Sequence, residues 1–246
     1  MHDILLASFT LADSLPFSLQ GWGDNLLTGL GKTVTIALGA FALGLMIGLL
    51  GALGKLYGPS PLVWFLEFYT TIIRAVPELV LILLLYYAGT DLLNRTLESF
   101  GYRPLDISGI SAGIAVLGIV MGAYATEVMR AAIKAVPPGQ MEAGKAYGMS
   151  AFQILRRVTL PAMLPFAIPG LANLWLIVTK DTALLAVVGF EELASVTRQA
   201  AGTTRNYLFF FCVAAVMYLC LTLVSNMIIR RLEAYYRRGQ KPLEHS

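Results

Sequence analysis

The chain has 246 residues, 57% of them hydrophobic and only 13% charged, with a mean hydropathy of +0.70. Soluble domains carry about one quarter charged residues, so the composition excludes an ordinary water-soluble protein and points to an integral membrane protein. The net charge of +3 is small, its distribution says more than its sign, and nucleic acid is not an expected partner.

Residues 1–24 hold His2, Asp3, Asp13 and Asp24 but no Lys or Arg. They lack the basic start of a cleavable signal peptide, and an acidic tail without positive charge belongs outside the membrane. A first span is expected over residues 26–54, with 33–54 free of charge and long enough to cross about 30 Å of hydrocarbon. Its glycines at 39, 44, 48 and 51 allow a neighbouring helix to approach closely. Gly31-Lys32-Thr33 lacks the earlier glycine and the preceding strand of a phosphate-binding loop; Lys32 is placed to snorkel to the outer interface.

Lys55 and the Gly58-Pro59-Ser60-Pro61 turn predict a tight inner connection to a second span over 61–89, interrupted by Glu67, Arg74 and Glu78. Arg74 and Glu78 are four apart, which puts them on one face of a continuous helix, with Pro77 loosening the backbone between them. Ionisable residues at membrane depth cost roughly 2.5–3.5 kcal/mol each and face an interior or a cavity. The pair is therefore either an internal lock or, for Glu78, a contact to a transported solute. Residues 90–106 read as an outer loop of mixed charge. A clean third span follows over 107–126, with Glu127, Arg130 and Lys134 at its inner end and Pro137-Pro138 as its stop. Glu127 and Arg130 are spaced to pair, and Glu127 is also a candidate solute contact.

Residues 142–161 predict two short helices. The first ends at Gly148, suited to the left-handed position past a helix terminus. The second opens on Ser150 with Gln153 three residues on, a capping-box pattern; it carries Arg156 and Arg157 and is expected to stop near Pro161. So charged a hairpin belongs on the cytoplasmic face, where a partner can dock. The fourth span starts at Pro161, and Pro165 and Pro169 predict a bent or distorted helix. Its polar centre is Lys180-Asp181-Thr182, and broken helices near the midplane are where transporters place substrate; an interfacial ion pair is the alternative. An outer segment over 191–205 leads to a fifth span over 206–229 and a basic tail that holds Arg230, Arg231, Arg237, Arg238 and Lys241, its last part at 236–246 a cytoplasmic tail. Cys212 and Cys220 lie about 12 Å apart along that helix and read as packing residues.

Lys and Arg concentrate in the proposed inner regions (Lys55, Arg130, Lys134, Lys145, Arg156, Arg157, Arg230, Arg231, Arg237, Arg238, Lys241) over the outer ones (Arg95, Arg103, Arg198, Arg205). The positive-inside rule then gives an N-terminus outside, a C-terminus inside and five spans. No nucleotide-binding motif occurs, so an energy source would lie in another polypeptide.

Glu142, Ala143 and Gly148, then nine residues, Val158 and Leu160-Pro161 resemble the E-A-A-x3-G-x9-I-x-L-P loop of permease subunits of bacterial ABC importers. Gly144 replaces the second alanine, and Val158 the isoleucine. The stretches FLEFYTTIIRAVPELVLILLLYYAG, AVPPGQMEAGKAYGMS and LPAMLPFAIPGLANLWLIVTKDTALLAVVG are similar to the histidine/lysine/arginine/ornithine permeases and their octopine and nopaline relatives. The resemblance covers about residues 24–235. It implies an all-α integral membrane protein of the type I importer permease fold in a bacterial inner membrane, with a coupling helix at about 139–147. Glu142, Ala143, Gly144, Gly148, Arg156 and Arg157 would meet the ATPase. Implied partners are a second homologous permease subunit as heterodimer, two cytoplasmic ATPase subunits carrying ATP and Mg, a periplasmic solute-binding protein and membrane lipid. The implied cargo is a basic amino acid or an opine, with Asp181, Lys180, Glu78 and Glu127 as candidate contacts; this chain itself is expected to hold no cofactor or metal and to do no bond chemistry. The rivals are an ion-gradient transporter, although His2 and His245 lie only in the tails, a non-transporting scaffold subunit, and an intramembrane enzyme. The last lacks any H-E-x-x-H or G-x-S-x-G arrangement.

Overall fold

A computed structural model describes residues 21–103 and 108–236, and these are helical with short connections. The expected tail before residue 21, Asp106 in the outer loop, and Arg237, Arg238 and Lys241 lie outside the described residues. Helix α1, Gly23–Tyr57, has 35 residues and so runs about 52 Å, longer than the hydrocarbon layer. It packs against α4, Gly109–Lys134, through a seam of small residues. Gly44, Gly48 and Gly51 face Met121, Ala125 and Thr126, while Gly118 and Gly122 receive Leu43 and Ile47. Lipid offers no hydrophobic drive to pair helices, so close backbone approach supplies the dispersion contact instead.

The second span is not one helix. Between helix α2, Ser60–Ala75, and α3, Glu78–Ser99, the chain bends by 119°. Pro77 lacks an N–H, and the residue before a proline is driven out of the helical region; Val76 accordingly sits at φ −95, ψ 139. Arg74 and Glu78 thus belong to different helices, and no ion pair joins them among the described residues. Residues 90–99, expected as loop, continue α3, with Asp91 and Arg95 paired at 2.9 Å. Among the described residues, four helices are long and apolar enough to cross a membrane, or five if the bent α2–α3 pair counts as one span.

Helix α4 runs past the expected 126 and carries Glu127, Arg130 and Lys134 within it. Pro137 caps the short helix α5, Pro138–Ala146, and Gly148 follows at φ +72, where an L side chain is strained. Helix α6, Ala151–Ile154, opens with the complete Ser150–Gln153 capping box. It does not stop near Pro161. A π turn at Leu155–Thr159 widens the backbone ahead of the proline, which has no N–H to give and a ring to accommodate. The chain then runs on as α7, Leu160–Asp181, through Pro165 and Pro169. At the polar centre the helix narrows to a 3-10 stretch, Thr182–Val188, ended by Gly189 at φ +88.

Helix α8, Leu193–Thr204, and α9, Tyr207–Tyr236, complete the described chain; Arg230 and Arg231 extend α9 rather than a tail. Cys212 and Cys220 are free and exposed on α9, so they are not packing residues of this chain's interior. The main core gathers around α4, with Ile36, Val116, Leu117, Met121, Leu174 and Leu185 buried in one apolar cluster.

Candidate functional site

The corner at Val76-Pro77 makes Glu78 the first residue of α3, a favoured place for a carboxylate because the helix end is electropositive. Asp181 is the last residue of α7, where the α-helix gives way to the 3-10 stretch. The fold brings the two acids to one cleft, with Tyr124 of α4 beside them and Leu117, Met121, Leu174, Ile177 and Val178 among its walls. The cleft encloses about 40 Å³, room for a few waters but not for a whole amino acid. Lys180 is exposed and does not line it. Arg74 is exposed as well.

Glu127 is held apart from this pair. Its Oε1 lies 2.6 Å from Lys55 Nζ and its Oε2 2.6 Å from Arg130 Nη2. Lys55, read from sequence as part of an inner turn, has a side chain only 1% exposed and also meets Glu67 at 2.9 Å. Glu67 inside an apolar run was the signal that a basic partner was needed; nothing in the sequence indicated which one. At the other end, Glu192 was expected in an outer segment but is fully buried. It accepts hydrogen bonds from Thr33 Oγ1 at 3.3 Å, the Tyr218 hydroxyl at 3.0 Å and the Ser195 N–H at 2.8 Å. Its neighbour Glu191 stays at the surface and meets Lys32 at 2.8 Å, and the hydrogen bond and charge of Lys32 hold the Glu191 carboxyl below its ordinary range.

The hairpin projects Glu142 and Ala143 into the open. Gly144 is buried against Ile154, and a Cβ there would lie 3.2 Å from Ile154 Cγ1, so glycine at the second alanine position suits the tight turn. Backbone bonds from Met149 N–H to Gly144 and from Gly148 N–H to Lys145 close that turn at 3.1 and 2.9 Å. Arg156 and Arg157 are exposed, as are Tyr147 at 86% and Phe152 at 68%. A groove of about 630 Å³ runs beside α5, lined by Met141, Glu142, Phe152 and Leu155 among others. An exposed helix with aromatic and charged groups around an open groove offers a socket for a protein partner.

The family described as binding-protein-dependent transport system inner membrane component matches residues 41–238. The histidine/lysine/arginine/ornithine transport system permease protein HisQ of Escherichia coli (strain K12) is 40% identical over 223 residues, 91% of this chain and 98% of that protein. The octopine transport system permease protein OccQ of Rhizobium radiobacter is 36% identical over 224 residues, 91% and 94% of the two chains. A crystal structure of an amino acid ABC transporter with histidines superposes with a TM-score of 0.73 at 29% identity, covering 89% of this chain and 98% of that one.

Proposed function

This chain belongs to the family of binding-protein-dependent transport system inner membrane components, and from that membership we propose that it is one permease subunit of an ATP-driven importer of a basic amino acid or an opine. The observation that carries the reading is the exposed hairpin of α5 and α6, its second helix closed by the Ser150–Gln153 capping box, at the end of α4, the most deeply packed of the candidate spans. A rigid lever of this kind suits a separate motor. In this reading the hairpin lies on the cytoplasmic side, Glu142 and Ala143 meet an ATPase subunit, and Arg156 and Arg157 flank the contact. Two such ATPase subunits hold ATP and Mg.

A second homologous permease closes the other half of the path, as a heterodimer. A periplasmic binding protein delivers the solute, and the complex sits in a bacterial inner membrane with this N-terminus outside and this C-terminus inside. Alternating access follows: closure of the ATPases pulls on α5 and tilts α4 and α7, opening the path outward, and hydrolysis resets it.

Glu78 and Asp181 face one cleft that accepts only a small head group, which suits the guanidinium or ammonium of a basic side chain, or an α-amino group. The remainder of the solute then lies on the open side of the cleft, where the exposed Lys180 can meet a carboxylate. Glu127 is already neutralised by Lys55 and Arg130 and is the weakest of the four candidate contacts.

The test is Glu142→Lys in the complete transporter reconstituted in liposomes. It places a cation where the socket meets a carboxylate and leaves every buried contact alone. Hydrolysis uncoupled from uptake is the expected result; normal coupled uptake would remove the docking role.

A further inference from the structure

Lys55 joins three helices at one atom. Its Nζ lies 2.6 Å from Glu127 Oε1 on α4, 2.9 Å from Glu67 Oε2 on α2 and 2.7 Å from Thr70 Oγ1 on α2. An ammonium has three protons to donate, and three oxygens surround this one. Arg130 grips the other oxygen of Glu127 through Nε at 3.1 Å and Nη2 at 2.6 Å, so two cations and two carboxylates neutralise one another.

The place of the cluster matters as much as its closure. Arg130 sits one turn before the end of α4 at Lys134, from which the chain passes through Pro137 into α5. Glu67 and Thr70 sit on the other side, in the helix that turns at Val76-Pro77 to present Glu78 to the cleft. Helix α2 has few other holds: only Thr70 and Ile73 are buried along it, and the Tyr69 hydroxyl donates to the Ile119 carbonyl. Helices α1 and α4, by contrast, are zipped along their glycine seam. Where apolar packing is sparse, as along α2, charge-assisted hydrogen bonds supply the direction and register. A buried ion pair is weak evidence for stability on its own, which leaves that fixing of register as what the cluster provides.

We infer that Lys55 is a positioning residue for transport: a three-way pin that makes α2 follow α4, carrying the displacement of the hairpin to Glu78 in the cleft. This rests on the hairpin being the surface on which the ATPase docks.

The test uses the complete transporter in liposomes, with uptake and ATP hydrolysis measured together. Glu67→Gln, made together with Thr70→Val so that both α2 partners of Lys55 are removed, releases α2 from the pin while Lys55 keeps Glu127. The Glu67 side chain is 53% exposed, so no buried charge is stranded. The expected result is hydrolysis within about twofold of the unmodified protein, with uptake per ATP reduced several-fold. Lys55→Met should lower the same ratio further, and Lys55→Arg, which keeps the charge and the donors, should recover most of it. If Lys55→Met fails to assemble, the Glu67→Gln, Thr70→Val variant carries the test alone. An unchanged ratio in that double variant, or hydrolysis and uptake falling in proportion in both it and Lys55→Met, overturns the pin and leaves a tie of purely structural role. Glu142→Lys run in parallel separates the two levels: normal coupling there refutes the docking reading and the pin with it, while a normal ratio in the double variant alone refutes only the pin.

Discussion

Alanine at position 48 tests whether backbone approach holds α1 to α4. A Cβ on Gly48 would lie 2.5 Å from Ala125 Cβ and 2.9 Å from the Ala125 carbonyl carbon, whereas carbon atoms prefer about 3.5–4.0 Å. The atoms in the way are backbone and a first side-chain carbon, so no rotamer change relieves the clash. The helices must part locally by about 1 Å, and a gap of that size forfeits on the order of a quarter to a half of each contact's attraction. Overpacking of this kind costs about 1–3 kcal/mol.

Gly31→Ala is the internal control. It lies in the same helix with nothing within 4 Å, and it carries the same gain in helix propensity of about 0.8–1.0 kcal/mol. The difference between the two variants therefore isolates packing. Gly39→Ala should fall between them, because its nearest atom, at 2.6 Å, is the flexible Cδ1 end of Ile114. Unfolding in mixed micelles, followed by tryptophan fluorescence, gives the ranking. If Gly48→Ala is as stable as Gly31→Ala, the seam is not what joins these helices.

Asp181→Asn should weaken uptake of a cationic solute by about 10- to 100-fold, from the roughly 1.5–3 kcal/mol of a charged hydrogen bond, and should spare a neutral one; identical kinetics for both solutes would remove Asp181 from the path. Ser150→Ala deletes the acceptor of the capping box and should cost about 1 kcal/mol, read as earlier proteolysis at the hairpin with the spans intact. Glu191 is held below its ordinary range by Lys32, so the stabilisation from this pair is present above the unfolded carboxylate pKa and is lost as pH falls through the lower, folded one. Glu191→Gln should flatten that limb of the stability profile at low salt, and high salt should mute the difference because both partners are solvent-accessible. A profile indifferent to the substitution at low salt would show that the bridge contributes nothing.

What the sequence determined by itself was local. The apolar runs of α1, α4 and α9, the proline stop before α5, Gly148 in the left-handed region and the Ser150–Gln153 box all follow from residues within one or two turns of each other. Even the seam was half legible, since the glycines were visible and only the residues they meet were not. The same locality explains the failures. Pro77 announced a disturbance, but a bend of 119° depends on what the two arms pack against. Pro161 looked like a terminus because a π turn leaves no signature in composition.

Spacing within one helix gave the Glu127–Arg130 pair, but the partners of the other buried charges were decided by tertiary structure. Lys55 meets Glu67 and Glu127, Glu192 meets Thr33 and Tyr218, and Glu78 shares a cleft with Asp181. The physical reason is that an ion in an apolar interior must find its partner wherever packing delivers one. That delivery is set by the rotation and height of whole helices against each other, which period and propensity within one helix leave undetermined.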